Sequence, residues 1–367
     1  MSEIDFNAAR EPAFWLDMIR AWDDGPPLTF MEVCGTHTMS AARAGLHSAL
    51  PARIRLISGP GCPVCVTPVG YVDHAIALAQ QKNVTLCTFG DLMRVPGSVT
   101  EPKLPPPSLN RAHAMGADVR VVYSALDSVK LAEDNPSRQV VFLGVGFETT
   151  APTLAASIQL AAAKKIGNFS MLIAAKTIPR AMKILASSEK LGLDGFLCPG
   201  HVSYIIGTAS YQQLGLPSAI AGFEPTEILR GIAALVMSAK SGNTEVINCY
   251  RGVVREEGNP RARQTLNSVF EPSDSNWRGL GIIPQSGLGL RDAYRSFDAA
   301  NRFELTLPEP REPKGCRCGE ILTGVITPAD CPLFATGCHP ENPVGACMVS
   351  TEGTCAAYYN YSSGEKK

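Results

Sequence analysis

Between residue 28 and about residue 240, short runs of β-branched and apolar residues alternate with longer amphipathic stretches. The short runs predict strands at LTFMEVC (28–34), RIRLISG (53–59), VTLCTF (84–89), DVRVVYS (118–124), QVVFLGV (139–145), SMLIAA (170–175), GFLC (195–198) and SAIAGF (218–223). The longer stretches predict helices at 69–81, 149–165, 178–189 and 225–240. Strands that alternate with helices of about 10–15 residues are typical of parallel sheets built from βαβ units.

This alternating pattern is too long for one compact sheet, so we expect two parallel-sheet α/β domains, at residues 1–115 and 116–245. The break between them is expected near VPGSVTEPKLPPPSLNR (95–111), whose prolines exclude regular helix and central strand. Beyond residue 245 the pattern weakens, and 246–367 is predicted to be a connecting segment followed by a small irregular region rich in Cys, Gly and Pro. The predicted fold class is therefore α/β with a cysteine-rich C-terminal region.

Charge and hydropathy narrow the class of protein. The 33 Lys and Arg residues nearly balance the 34 Asp and Glu residues, which gives a net charge of −1 and no basic block, so nucleic acid is not the expected partner. No apolar run reaches the ~18 residues of a membrane span. The N-terminal stretch MSEIDFNAAREPAFW carries acidic residues and no apolar core of a secretory signal, so a cytoplasmic location is predicted.

The chain of 367 residues contains 12 cysteines. A reducing cytoplasm keeps thiols reduced, so metal or redox chemistry is the better interpretation than a disulfide framework. Cys87 and Cys249 have apolar or mixed neighbours and are predicted to be buried packing residues. Six other cysteines crowd into the C-terminal region: Cys316, Cys318, Cys331, Cys338, Cys347 and Cys355.

Two cysteine motifs follow predicted strands, where open α/β sheets bind ligands. In CGTHT, Cys34 with His37 is a candidate low-pKa thiolate or soft-metal ligand, although a cysteine beside a helix N-cap would have the same sequence. In GPGCPVC, the spacing of Cys62 and Cys65 suits a dithiol–disulfide couple or a shared metal, with a structural zinc half-site as the alternative. We expect Cys34, Cys62 and Cys65 to meet at one site.

Two further strand ends carry polar side chains. In GFETTAP, Glu148 is either a functional carboxylate or part of the cap of the next helix. In CPGHVS, His201 is either a proton donor or ligand contact, or a loop histidine without such a role. The chain has no G-x-G-x-x-G motif that opens a helix and no P-loop motif, which disfavours dinucleotide binding and nucleotide hydrolysis.

The C-terminal cysteines are spaced too widely for a zinc finger. Thiolates drawn from loops rich in Pro and Gly suit a [4Fe–4S] cluster, with zinc as the alternative. Six thiols compete for four ligand positions, and spacing alone does not choose among them.

Together, CGTHT, GPGCPVC, TFGDLMRVPGS, GFETTAP, CPGHVS and the segment from CRCG to GACMVSTEGTCAAYY resemble the HypD family of [NiFe]-hydrogenase maturation factors. The resemblance covers nearly the whole chain. It implies two α/β domains, a C-terminal [4Fe–4S] region, and a scaffold that assembles the Fe(CN)2CO unit with a HypC-type chaperone and a HypE-type cyanide donor.

The resemblance also implies roles for particular residues. Cys34 would bind the iron that carries cyanide and carbon monoxide, with His37 nearby, and Cys62 and Cys65 would form the redox pair. The cluster ligands would be Cys318, Cys331, Cys338 and Cys355, so Cys316 and Cys347 are additional thiols. Two other functions fit the motifs: an iron–sulfur disulfide reductase resembling ferredoxin:thioredoxin reductase, and a binding module stapled by zinc.

Overall fold

The computed structural model describes residues 4–21, 25–99, 106–307 and 309–361. Residues 1–3 of the N-terminal stretch and 100–105 of the proline-rich segment, both used above, lie outside these ranges. The strands are β1 (Leu28–Glu32), β2 (Ile54–Ser58), β3 (Val84–Thr88), β4 (Val119–Val121), β5 (Gln139–Gly144), β6 (Phe169–Ile173), β7 (Gly195–Pro199), β8 (Ser218–Ala221), β9 (Val246–Asn248), β10 (Phe270–Trp277) and β11 (Gly281–Leu290). The α-helices are α1 (Pro12–Ala21), α2 (Gly35–Arg43), α3 (Leu46–Ala49), α4 (Val69–Ala79), α5 (Leu109–Ala114), α6 (Ala125–Asp134), α7 (Ala151–Ala163), α8 (Ile178–Ala186), α9 (Gly200–Ile206), α10 (Pro225–Ser241), α11 (Pro260–Val269), α12 (Ala299–Arg302), α13 (Cys318–Leu322) and α14 (Thr354–Tyr361).

Two parallel sheets form the body of the protein. The first has the strand order β2-β1-β7-β8-β9 and the second the order β4-β3-β5-β6. Strands such as β3 and β8 are buried along their whole length, as expected when helices cover both faces of a parallel sheet. The predicted α/β class with a cysteine-rich C-terminal region is confirmed.

The sequence pattern predicted a division of the strands between the sheets at residue 115. The structure does not divide them there. β3 precedes that position but pairs with β5 of the second sheet, and β7 lies after the second sheet but pairs with β1, with Met31 opposite Phe196. The chain thus leaves the first sheet after β2, builds the second sheet, and returns to the first at β7. Periodicity locates each strand but not its partner, and consecutive strands are neighbours only about two-thirds of the time.

The antiparallel hairpin β10–β11 was not predicted. Its first strand is half exposed and polar, and its second contains the sequence PQSGLG, which lowers the β-propensity of both. Gly287 has Ser273 and Ser275 directly across the hairpin, where a Cβ atom would come within 2.8 Å of the Ser275 Cβ. The turn of this hairpin runs into the interior, where Trp277 and Arg278 are buried.

One apolar core joins the two sheets to the cysteine-rich region. The cluster contains Met31 of β1, Val141 of β5 and Phe196 of β7, together with Cys318 and Cys347. The C-terminal thiols are therefore packed against both sheets rather than in a separate unit. Among the described residues, no helix combines the length and apolarity needed to cross a membrane.

Candidate functional site

The CGTHT and GPGC segments meet at the carboxyl edge of the first sheet. β1 and β2 are parallel neighbours with Glu32 opposite Ser58, so the residues that follow them emerge side by side. The backbone N–H of Gly35 donates to the carbonyl of Gly61 at 3.1 Å. A Cβ atom on Gly61 would lie 2.2 Å from the backbone nitrogen of Cys34, so only glycine permits this approach.

Cys62 and Cys65 form a disulfide, with their Cα atoms 5.3 Å apart. Both residues are buried, and the backbone N–H of Cys65 lies 3.2 Å from the Cys62 sulfur. The GPGCPVC loop therefore holds a two-electron couple in its oxidised form directly beside the backbone of Cys34.

Cys34 precedes α2 and is 3% exposed. Burial raises the pKa of its thiol to about 12, although a hydrogen bond from the His37 backbone opposes the shift. The expectation of a low-pKa thiolate is therefore wrong for Cys34 in this structure, because burial disfavours the charged thiolate. Metal coordination is one of the few ways to deprotonate such a thiol, so the soft-metal interpretation fits the geometry.

Glu352 packs against the two residues that follow Cys34 and was not singled out from the sequence. The Thr36 hydroxyl donates to the Glu352 carboxylate at 2.7 Å. A Cβ atom on Gly35 would lie 2.4 Å from the carbonyl oxygen of Glu352, and the Glu352 charge further raises the pKa of Cys34. The STEGT segment, which contributed to the family resemblance, thus closes over the CGTHT segment.

His37 and His201 lie on either side of Phe223, with ring centroids 5.0 and 4.9 Å from it. His37 Nε2 donates to the Gly222 carbonyl at 2.8 Å, which leaves Nδ1 with the lone pair. Within the described part of the chain, that buried Nδ1 has no hydrogen-bond partner. Burial lowers the pKa of both imidazoles to about 4, so both rings are neutral near pH 7, the form in which an imidazole nitrogen can bind a metal.

One interpretation of the sequence was that Glu148 caps the next helix, α7. The structure shows a different role. Its Oε1 instead accepts the backbone N–H of Ile178, the first residue of α8, at 2.9 Å. Its Oε2 is buried without a partner among the described residues, and burial raises the pKa of the carboxyl to about 7. Glu148 also lines a cavity of about 450 Å³ between α8, α9 and the hairpin.

Tyr211 lies near these groups. Burial raises the pKa of its phenol, and the nearby charges of Cys198, Glu148 and Cys34 add to this shift. The Tyr211 hydroxyl is 3.1 Å from the Ser203 hydroxyl. Tyr211 belongs to a short 3₁₀ helix with no sequence signature, which explains why the sequence analysis missed it.

A second buried carboxylate, Glu32, lies at the end of β1. It accepts hydrogen bonds from Thr38 at 2.9 Å and Ser58 at 3.5 Å, and burial raises its pKa to about 8. An acidic residue inside the apolar run LTFMEV was the available signal for this group.

The six C-terminal cysteines line one small cavity, together with apolar side chains such as Leu333, Phe334 and Met348. Two of the sulfur atoms, those of Cys318 and Cys347, are 2.8 Å apart. The sequence analysis left open which thiols act as ligands, and all six are brought together.

Groups of three or more His, Cys, Asp or Glu arranged for a single metal ion are absent from the described residues. A tetrahedral zinc site needs its sulfurs about 2.3 Å from one point, whereas each iron of a [4Fe–4S] cluster takes a separate thiolate. Among the described residues that line the cavity, thiols are the only ionisable side-chain groups. The Val344 N–H donates to the Cys338 sulfur at 3.3 Å, a hydrogen bond that stabilises the thiolate form of Cys338. By its chemistry, the donor set fits an iron–sulfur cluster.

Cys87 and Cys249 are fully buried in apolar clusters, in agreement with their predicted packing role. Cys198 is buried in the core shared by the two sheets and contacts the Phe196 carbonyl at 3.9 Å.

Comparison with known proteins accounts for this combination of features. The HypD family model, described as the hydrogenase formation hypA family, matches residues 14–362. The chain is 47% identical over 350 residues to hydrogenase maturation factor HypD2 of Bradyrhizobium diazoefficiens, a match that covers 92% of this chain and 90% of that protein. It is 46% identical over 348 residues to hydrogenase maturation factor HypD of Cupriavidus necator (92% and 90% covered) and 44% identical over 346 residues to that of Escherichia coli (93% and 91% covered). The chain therefore belongs to the HypD family of hydrogenase maturation factors.

Proposed function

We propose that this chain is a cytoplasmic scaffold on which the Fe(CN)2CO unit of a [NiFe]-hydrogenase is assembled. It would act with a HypC-type chaperone and a HypE-type cyanide donor. The observation that carries the proposal is the meeting of the Cys34 backbone with the loop of the Cys62–Cys65 disulfide at one sheet edge, where the disulfide shares an apolar core with the C-terminal cysteines.

Cys34 is the proposed ligand of the iron under construction. Low-spin iron with strong-field ligands is soft enough to suit a thiolate. Because the Cys34 thiol is buried and keeps its proton, it stays unreactive until a cation is delivered. The unpartnered Nδ1 of His37 supports a role for this histidine as a hydrogen-bond acceptor or a second ligand near Cys34.

Cys62 and Cys65 are the proposed electron source. Transfer of cyanide from a thiocyanate to iron breaks the carbon–sulfur bond, consumes two electrons and leaves a thiolate. Closing a disulfide from two thiols releases two electrons and two protons, one of which neutralises the leaving thiolate. The disulfide in the structure corresponds to the spent form of this pair.

We assign the cluster ligands as Cys318, Cys331, Cys338 and Cys355. When bound there, a [4Fe–4S] cluster would supply single electrons to reopen the disulfide. Cys316 and Cys347 then remain beside the cluster as thiols; the contact between the sulfurs of Cys347 and Cys318 makes Cys347 the nearest substitute.

Glu148 is a proposed proton-handling group, and His201 is a proposed hydrogen-bond donor. Glu148 has a pKa of about 7 and an unpartnered Oε2, so it can hold or release a proton near neutral pH. The charges of Glu148 and Cys34 both raise the pKa of Tyr211, which supports a common electrostatic environment for the two groups. His201 is neutral and lies against Phe223, so its ring N–H would be held as a hydrogen-bond donor to a bound group.

Infrared spectroscopy of the full chain, purified anaerobically with its chaperone, tests the scaffold role. We expect bands in the cyanide and carbonyl stretching regions that disappear in Cys34→Ala and persist in Cys249→Ala, a buried cysteine remote from the site. An intact, iron-loaded wild-type complex without such bands would refute the proposal.

The disulfide-reductase alternative is favoured by one observation, the packing of the Cys62–Cys65 disulfide in the same core as the six thiols. It predicts that the cluster-loaded chain reduces a disulfide substrate to its dithiol with two electrons and two protons, without iron at Cys34. The burial of both sulfurs, at 3% and 0% exposure, argues against a protein disulfide as the substrate. Unchanged turnover in Cys34→Ala would support this alternative.

A further inference from the structure

The turn between β10 and β11 lies between the GPGCPVC loop (residues 59–65, here called the redox loop) and the cysteine-rich region. The backbone N–H of Arg278 donates to the carbonyl of Val66, the residue after Cys65, at 2.8 Å. The guanidinium Nε and Nη2 both donate to the carbonyl of Thr67, at 3.1 and 3.0 Å. Arg278 therefore forms three hydrogen bonds to the backbone immediately after the Cys62–Cys65 disulfide.

The other side of the same turn touches the thiol cluster. Gly279 has φ +84°, and a Cβ atom on it would lie 2.5 Å from the carbonyl oxygen of Gly319. Gly319 directly follows Cys318. Two consecutive residues of the turn thus contact the chain next to the disulfide and the chain next to a cluster cysteine.

The charge of Arg278 is buried at this junction. The residue is 5% exposed, and its Nη1 is 2.7 Å from the Glu312 carboxylate, whose side chain is half exposed. The field of this buried charge acts close to the thiols, since the neighbouring residue Gly279 packs against Gly319, directly after Cys318. The Glu312 carboxylate opposes part of that field.

We propose that Arg278 is a positioning residue that fixes the redox loop against the cluster site and, through its buried charge, raises the reduction potential of the cluster. This inference rests on the proposed function. A reduced cluster carries one more negative charge than an oxidised one, so a nearby cation favours reduction and a nearby anion opposes it. Glu312 tempers the effect, and the pair sets the charge at the junction between the two redox centres.

The test is a spectroscopic redox titration of the anaerobically reconstituted full chain. Arg278→Gln removes the cation, and we expect a shift of the cluster midpoint potential to more negative values. Glu312→Gln exposes the cluster to the uncompensated cation, and we expect a shift in the opposite direction. Arg278→Lys keeps the charge and should return the potential close to that of the wild type. Arg295→Gln, an exposed arginine paired with exposed Asp292, is the control and should shift nothing.

Opposite shifts distinguish a charge effect from simple loosening, because loss of either partner breaks the same ion pair. Shifts of the same sign in Arg278→Gln and Glu312→Gln, or no shift in either, would overturn the proposal. The Glu312→Gln and Arg278→Lys variants keep the test decisive even where Arg278→Gln folds poorly.

Hydrogen exchange of the metal-free full chain tests the positioning role separately. In Arg278→Gln we expect faster exchange at the amides of Val66 and Thr67 and in α13 than in Arg295→Gln, whereas equal rates would refute the anchoring. If the wild type never develops iron–sulfur absorbance, the proposed function fails, but the exchange experiment still decides the role of Arg278.

Discussion

Replacing Gly61 by alanine is expected to push the redox loop away from Cys34. The new methyl group would lie 2.2 and 2.3 Å from the backbone N and Cα of Cys34 and 2.5 Å from the carbonyl carbon of Val33. These are backbone atoms, so no flexible side chain can move aside, and the loop must withdraw by more than an ångström. Overpacking costs about 1–3 kcal/mol, and the hydrogen bond from Gly35 to Gly61 contributes about 1 kcal/mol. We therefore expect a loss of about 2–4 kcal/mol in the free energy of unfolding.

Differential scanning calorimetry of the full chain measures this effect, which corresponds to a drop in Tm of roughly 3–5 °C. Gly167→Ala is the matched control, because no atom lies within 4 Å of the added methyl group and φ is not positive. That variant should unfold at or slightly above the wild-type temperature. If Gly61→Ala were as stable as Gly167→Ala, the close contact between the two strand-end loops would be refuted.

Three further predictions follow from buried groups of the site. Burial raises the pKa of Glu148 from 4.5 to about 7, so its carboxyl destabilises the folded chain increasingly as pH rises through this range. In urea unfolding, the stability gained by Glu148→Gln should therefore be larger at pH 8 than at pH 5. A difference that does not depend on pH would contradict this prediction. Thr36→Val removes the hydrogen bond to the Glu352 carboxylate, which contributes about 1.5–3 kcal/mol. Iodoacetamide should therefore label Cys34 at least ~10-fold faster than in the wild type. The control Thr336→Val loses only a hydrogen bond to the Pro332 carbonyl and should leave the labelling rate unchanged. Anaerobically purified protein should show broad absorbance at about 400 nm that Cys331→Ser abolishes and Cys249→Ser retains, and a colourless wild type containing zinc would refute the cluster assignment.

Local sequence patterns predicted most of the secondary structure in the two sheets. The apolar runs at residues 84–89 and 139–145 became β3 and β5, because buried parallel strands leave a strong signal in the sequence. The pairing of β1 with β7 left no such signal, since it depends on contacts between segments more than 160 residues apart. The hairpin β10–β11 was missed because its strands are polar and rich in glycine.

The candidate site was predictable where it follows from sheet geometry. Cys34 and Cys62 follow neighbouring parallel strands, whose carboxyl ends share an edge, so their loops were expected to meet. Glu352 and Arg278 were not predictable in the same way. Each acts on a segment far away in the chain, and only the folded core brings them to Cys34 and Thr67.

The closure of Glu352 over the CGTHT segment has a consequence for the order of events during synthesis. Thr36 and Glu352 are 316 positions apart, so a ribosome completes nearly all of the described chain before their hydrogen bond can form. Cys34 is therefore exposed on the nascent polypeptide and becomes enclosed only after the thiol-rich segment has folded onto both sheets. Translation itself thus delays closure of the proposed iron site until the proposed electron-supplying parts of the same molecule are in place.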